Sequence, residues 1–142
     1  MKKLLDQQEL QHLISVSTGF IDVYQVICFE QVPMLLPQTI VLSAQTSKTS
    51  VTRYKWHDTY LPVYAMNNPQ LKEAVALIIE GNSPEDRFVL LCDDMPETIR
   101  LRISEVVDDE RPIDSDKVAQ YVNLQNQVYQ VPDLDVIYQS IK

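Results

Sequence analysis

The segment Tyr54-Lys-Trp-His-Asp-Thr-Tyr-Leu-Pro-Val-Tyr-Ala-Met66 decides the fold of this chain. Its aromatic and β-branched residues predict two strands joined by a tight turn, and Leu61-Pro62-Val63 opens the second strand. We therefore predict a β-hairpin here, preceded by an earlier pair of strands and followed by a run of aliphatic strands.

Most of the remaining chain also favours short strands. The predicted strands are residues 20–29, 32–36 continuing at 39–42, 74–80, 88–92, 99–103, 118–124 and 128–131. Pro33 and Pro37 indicate that the second of these lies at a sheet edge or contains a break, because proline cannot donate a ladder hydrogen bond. Residues 44–50 are small and polar, and we predict a loop there. About eight short strands with frequent turn signals favour a β-barrel or a β-sandwich.

Two predicted helices frame the strands. Apolar residues on one face predict a helix over residues 2–15 that ends at Thr18-Gly19, so that residues 1–19 form an N-terminal helical extension. Pro132-Asp133 predicts the start of a short C-terminal helix. A chain of 142 residues can bury a substantial core, and we assign residues 1–142 to a single domain.

The acidic charge of the chain bears on its partners. The formal net charge is −8, and residues 72–142 carry seven basic and fifteen acidic side chains. An acidic surface repels phosphate backbones, so nucleic-acid binding is not expected. The charge would suit a basic protein partner, and it is equally explained by solubility alone. The two glycines are too few for a glycine-rich phosphate-binding loop.

Cysteine usage and hydropathy indicate a cytoplasmic protein. Cys28 and Cys92 lie in apolar runs and are predicted to be buried, reduced thiols. They do not form a framework of paired cysteines that would imply an oxidising compartment. No apolar run reaches the ~18 residues of a membrane span, and the N-terminus lacks the apolar core of a signal peptide.

No residue pattern predicts a catalytic, metal or cofactor site. Cys28, His57 and Asp58 could supply a nucleophile, a base and an orienting carboxylate, but an apolar strand shields the thiol and raises its pKa. Adjacent residues on a strand also point to opposite faces, which separates His57 from Asp58. The acidic clusters of the C-terminal half lack the glycine of a calcium-binding loop, so we interpret them as solvated loop residues.

The aromatic residues of the hairpin allow two interpretations. Alternation places Tyr54 and Trp56 on one face of their strand, and it places Tyr60, Pro62 and Tyr64 together on one face of the next. Both sets can be core residues or cross-strand pairs. They can also form an interaction surface, since tyrosine and tryptophan are enriched at binding hot spots.

The order of elements resembles that of CheW-like domains. The strand that ends at Ile27-Cys-Phe29, and the turn and Pro33-Met-Leu-Leu-Pro37 that follow, are similar to the opening of that family. Residues 54–66 resemble its central hairpin, in which an Asn-Leu-Arg-Gly turn is followed by two residues and then by Ile/Leu-Pro-Val. Leu61-Pro62-Val63 matches that ending, and the resemblance continues in order over residues 20–141.

The chain departs from the family pattern at the turn. The family's turn arginine falls at His57 and its turn glycine at Asp58. That arginine helps to bind partners in typical adaptors. Because it is absent here, the resemblance does not imply the usual coupling to a kinase or receptor. The chain is similar to the divergent, accessory CheW-like proteins of chemosensory systems that govern type IV pili and twitching motility.

The resemblance implies a fold of two small packed β-barrels and a function as a non-catalytic cytoplasmic adaptor without a cofactor. Such an adaptor links a receptor or regulator to a histidine kinase, and its oligomeric state is left open. The partner-binding residues that the resemblance implies are Trp56 as an anchor, His57 and Asp58 for polar specificity, Tyr60 and Pro62. The alternative is a small β-barrel that binds a ligand, or an enzyme, with the aromatic patch around Trp56 as its pocket wall. A third possibility is a self-associating structural protein, which would show a large symmetric interface.

Overall fold

The computed structural model describes residues 19–142, and the helix predicted over residues 2–15 lies outside them. Within that range the chain is mainly β. In chain order the strands are β1 (Phe20–Val26), β2 (Met34–Pro37), β3 (Val41–Lys48), β4 (Arg53–Trp56), β5 (Thr59–Ala65), β6 (Glu73–Ile79), β7 (Phe88–Cys92), β8 (Glu97–Arg102), β9 (Val107–Asp109), β10 (Val118–Leu124) and β11 (Gln127–Pro132). One α-helix, α1 (Leu134–Ile141), follows the last strand.

The strands form two curled sheets, each of which makes a half-barrel. The six-stranded sheet has the order β8-β1-β2-β11-β10-β9, and the five-stranded sheet has the order β3-β6-β7-β5-β4. Most neighbouring strands are antiparallel, but β5 pairs with β7, and β2 with β11, in parallel. The predictions of a mainly β fold and of a short C-terminal helix are confirmed.

Several strands are buried on both faces because they separate two hydrophobic clusters. Alternate residues of β6 and β7 fill the five-stranded half-barrel, and the intervening residues face a core shared with the other sheet. The shared core also receives Val26 from β1, Leu36 from β2 and Ile137 from α1. Val23 and Leu35, on the opposite faces of β1 and β2, fill the six-stranded half-barrel. Each half-barrel therefore has its own interior, and a third cluster joins the two.

The predicted hairpin is confirmed. Strands β4 and β5 are antiparallel, with Trp56 opposite Thr59 and Arg53 opposite Pro62, so that His57 and Asp58 form a two-residue turn. The second strand begins two residues earlier than predicted, at Thr59, because the tight turn brings Thr59 directly into register with Trp56. The hairpin lies at one edge of the five-stranded sheet, where β4 pairs only with β5.

For the segments before the hairpin, the structure decides between the two explanations of Pro33 and Pro37 and corrects the predicted loop. Of the two explanations for Pro33 and Pro37, the break is right: a 3-10 turn at Gln38–Ile40 ends β2, which lies between β1 and β11 and not at an edge. The loop predicted over residues 44–50 is wrong, because β3 continues to Lys48 in register with β6. Its side chains are polar because β3 is an edge strand, and the pairing comes from the backbone.

The closing hairpin and helix form as their residues predict. Gln125 (φ 52°) and Asn126 (φ 66°) both adopt left-handed backbone, as in the two-residue type I′ turn that suits antiparallel strands. The side chain of Asn123 accepts a hydrogen bond from the backbone N–H of Asn126 at 3.1 Å. Asp133 caps α1 by accepting a hydrogen bond from the N–H of Val136 at 3.3 Å.

Gly81, which follows β6, is expected to tolerate no side chain. A Cβ at this position would overlap the backbone carbonyl of Asp86. We expect Gly81→Ala to lower the free energy of unfolding by about 2–3 kcal/mol in urea titrations, since backbone must move to relieve the overlap. Gly19→Ala is the comparison: it meets open space but has φ +88°, so we expect a cost of about 1 kcal/mol from backbone strain alone. Equal losses in the two variants would contradict the steric explanation.

Candidate functional site

The turn of the hairpin presents two exposed polar side chains. His57 and Asp58 are both exposed. His57 adopts left-handed backbone with φ 56°, whereas Asp58 does not have a positive φ. The glycine-like position of this turn is therefore His57, one residue before the position to which the family's turn glycine was matched.

Trp56 lies beneath the turn and contacts the core. Its ring packs against the cluster that fills the five-stranded half-barrel, and the guanidinium of Arg87 lies 5.4 Å from its centroid. The imidazole of His57 meets it edge-on, with ring centroids 4.1 Å apart and an interplanar angle of 84°. Arg87 is in turn held by Glu80, with Nε 3.2 Å from Oε1. For Trp56 the geometry supports the core interpretation, in which the indole supports the turn from below.

Tyr54 has a similar structural role. It packs against the same interior cluster, and its hydroxyl donates a 2.6 Å hydrogen bond to Oε1 of Gln45. Gln45 belongs to β3, at the opposite edge of the five-stranded sheet from β4. This bond therefore links the two edges of the curled sheet through side chains.

Tyr60 and Pro62 lie on the other face of the hairpin. The side chain of Tyr60 is 56% exposed, and the guanidinium of Arg53 lies 4.4 Å from its ring centroid. Tyr64 follows on the same face but packs against the shared core. The five candidate residues thus do not form one surface: Trp56 lies under the turn, His57 and Asp58 form it, and Tyr60 and Pro62 lie on the outer face.

Cys28 lies far from His57 and Asp58, the other two residues of the hypothetical nucleophilic trio. Cys28 lies beside the end of β5, since the N–H of the next residue, Phe29, donates a 2.8 Å hydrogen bond to the carbonyl of Met66. His57 and Asp58 lie just before the beginning of β5, about 25 Å away along the strand. Both thiols are free and buried, as predicted. Burial raises the pKa of Cys28 and of Cys92 to about 12.

A cleft of about 280 Å³ opens between the two half-barrels. Met34, Tyr64 and Ile137 contribute apolar surface, and Tyr121 and Gln130 come from β10 and β11. Its charged lining residues are two carboxylates and two cations: Glu30, Asp114, Arg111 and Lys117. Such a lining suits an uncharged or zwitterionic group. Sequence reasoning singled out only Tyr64 among these residues, because the others come from elements distant in sequence and share no motif.

The described residues 19–142 contain neither a cluster of metal-ligating side chains nor an apolar spanning helix. No group of three or more histidine, cysteine, aspartate or glutamate side chains is placed to hold a metal ion in this part of the chain. No helix in it has the length and apolar character needed to span a bilayer.

Comparison with known proteins leaves the family open. No protein-family model matches the chain, and no match is found among curated protein sequences.

The buried thiols predict a loss of stability at high pH. Folding raises the pKa of each thiol from 9.0 to about 12, so the folded state favours the protonated form. This contribution is fully present below pH 9 and is lost as the pH rises through 12, by at most about 1.4 kcal/mol per pH unit for each thiol. We expect the free energy of unfolding to fall more steeply between pH 9 and 11 in the wild type than in Cys28→Ala/Cys92→Ala. Parallel curves for the two proteins would contradict the assignment.

The turn geometry predicts opposite effects of glycine at its two positions. His57→Gly removes the strain of a left-handed backbone, and we expect it to raise the free energy of unfolding by about 0.5 kcal/mol. Asp58→Gly gains no such relief and should lower that free energy by a few tenths of a kcal/mol, because glycine adds entropy to the unfolded chain. Thermal or urea unfolding of both variants measures the difference, and stabilisation by Asp58→Gly would show that the strained position is misplaced.

Proposed function

We propose that the protein is a non-catalytic adaptor of the CheW-like kind. In this proposal it is a cytoplasmic scaffold that links a receptor or regulator to a histidine kinase of a chemosensory system, such as one that controls type IV pili and twitching motility. The observation that carries the proposal is a hairpin turn of exposed polar residues, His57 and Asp58, projecting from a half-barrel whose interior is filled by side chains.

The architecture supports this proposal at the level of fold. Two half-barrels share one core, and the hairpin lies at the edge of one of them. A CheW-like domain resembles two small β-barrels packed together, with the central hairpin in the same place in the chain order. This support comes only from the resemblance in the order of elements, because a fold by itself does not define a function.

The geometry assigns different roles to the candidate residues within this proposal. His57, Asp58 and Tyr60 are exposed and are available for partner contacts. Trp56 positions the turn through its packing on the core and its edge contact with His57, and it would act on a partner only through the turn. This replaces the anchor role that the sequence had suggested for Trp56.

The alternative, a ligand-binding barrel or enzyme with its pocket wall at Trp56, has less support. The interior behind Trp56 is occupied by side chains with almost no exposed surface, among them Ala76, Ile78 and Leu91. The cleft between the half-barrels is lined by Tyr64 but not by Trp56 or Tyr60. A ligand in that cleft would therefore contact a different set of residues from the hairpin patch.

Binding measurements on surface variants test the adaptor proposal. We expect the purified chain to bind a chemosensory receptor fragment or a histidine kinase encoded in the same genome, and His57→Ala/Asp58→Ala to weaken that binding about tenfold, as loss of a central contact does. Isothermal titration calorimetry measures the affinity. Tyr60→Ala should weaken it as well, because its ring is exposed on the adjoining face.

Gln127→Ala is the matched control for these variants, since Gln127 is exposed beside the turn of the other hairpin. It should leave the affinity unchanged. Binding that none of the hairpin variants weakens, with folding verified by circular dichroism, would refute the site. No binding to any receptor or kinase of the system would refute the function.

A further inference from the structure

Four exposed apolar side chains converge at the end of the molecule opposite the hairpin turn. They are between 36% and 52% exposed, and they are Ile27, Phe29, Leu71 and Met95. We name this the end surface; it comprises residues 27–31, 68–73 and 93–97.

Hydrogen bonds hold the three segments of the end surface together. The N–H of Phe29 donates to the carbonyl of Met66 at 2.8 Å, and the N–H of Asn68 donates to the carboxylate of Asp93 at 2.6 Å. The N–H of Leu71 donates to the carbonyl of Asn68 at 3.2 Å. The surface is therefore built by residues of both half-barrels on a fixed backbone.

The register of the sheet brings two of the apolar residues to the same point. Gln25 of β1 lies opposite Glu97 of β8 in an antiparallel pair. Ile27 lies two residues after Gln25, and Met95 lies two residues before Glu97. The chain therefore brings Ile27 and Met95 out of the paired strands side by side.

Carboxylates are the main charged groups in the same three segments. The three segments carry five carboxylates, those of Glu30, Glu73, Asp93, Asp94 and Glu97, and one lysine, Lys72. Lys48 is an additional cation opposite Glu73 in the sheet. Apolar contacts inside an acidic rim match a segment with an apolar stripe flanked by lysine or arginine.

We propose that the end surface binds a cationic amphipathic segment of a partner protein. The acidic rim disfavours a lipid surface and a second copy of the chain as occupants. It would repel an anionic lipid surface, and in a two-fold pairing of two copies it would place carboxylates against carboxylates. The chain's own N-terminal segment joins the described residues at Gly19, about 25 Å from Ile27, which 18 residues of chain can span, so the test below includes this occupant. The surface is also separated from the hairpin turn by the length of β5, so this proposal is independent of the proposed function.

A model peptide tests the proposal on the full chain. The probe is a fluorescein-labelled, 14-residue Leu/Lys peptide with the periodicity of an amphipathic helix, and binding is followed by fluorescence anisotropy. The same peptide with glutamate for lysine is the charge control. We expect the lysine peptide to bind saturably at low salt, with an affinity that falls as salt screens the acidic rim, and the glutamate peptide to bind at least about tenfold more weakly.

Variants localise the binding. Leu71→Ser/Met95→Ser should weaken it about tenfold, and Asp94→Asn/Glu97→Gln should weaken it severalfold and reduce its salt dependence. The matched control is Val107→Ser/Asp108→Asn on β9, which also changes an exposed apolar residue, 61% exposed, beside an exposed carboxylate. This control and the hairpin variant His57→Ala should leave the affinity within about twofold of the wild type.

Other outcomes would overturn the proposal. Equal losses in the β9 control would show that the peptide binds the acidic protein as a whole. A gain in affinity with Leu10→Ser/Leu13→Ser would show that the chain's own N-terminal segment occupies the surface. Self-association that is abolished by Leu71→Ser/Met95→Ser, measured by analytical ultracentrifugation, would assign the surface to a second copy. Absence of saturable binding by the wild type would also reject the proposal.

Discussion

The structure depends on strands that bury both of their faces. In β2, Leu35 points into the six-stranded half-barrel while Met34 and Leu36 point into the shared core. Because side chains alternate, a slip of one residue would exchange the two sets and disturb both clusters at once. The buried amide of Gln130 helps to set this register: its Nε2 donates to the carbonyl of Val32 at 2.8 Å, and its backbone N–H donates to the carbonyl of Pro33 at 2.8 Å. The arrangement of the half-barrels follows from this double burial.

The edge position of β4 explains why the hairpin projects. Strand β4 pairs only with β5, and across the opening of the curled sheet it is linked to β3 by side chains, through Tyr54 and Gln45. The turn at His57 and Asp58 extends beyond these contacts, whereas Trp56 remains packed on the interior. The turn can therefore change its side chains with little effect on the core. The turn at His57 and Asp58 is thus the part of the hairpin that constrains the fold least.

The sequence predicted the elements that carry a strong local signal and missed those that depend on tertiary pairing. The aliphatic runs of β6 and β7 and the caps of α1 were recognisable because burial and capping act on local residues. The second half of β3 was not, since its small polar residues carry no strand signal and its pairing is supplied by β6. The parallel pairing of β5 with β7 was equally hidden, because strands distant in the chain meet through the shared core.

The candidate site was predictable only in part, for a related reason. Alternation correctly grouped Tyr54 with Trp56 and Tyr60 with Pro62, but it could not show which face was covered. The interior cluster covers the face of Trp56, and the face of Tyr60 is left to solvent. The end surface gave no signal at all in sequence, because Ile27, Leu71 and Met95 come from three separate connections.

The two exposed regions are linked by one rigid element. Strand β5 begins at the turn and ends beside Met66, whose N–H donates to the carbonyl of Leu91 at 2.8 Å. Its pairing with β7 and with β4 fixes both ends relative to the core, so a partner on the turn and a partner on the end surface would be held about 25 Å apart. The side chains at the two ends also differ: the hairpin turn exposes the polar residues His57 and Asp58, whereas the end surface exposes apolar side chains beside carboxylates. Surfaces of different composition, held at a fixed separation, favour two different partners over two copies of one.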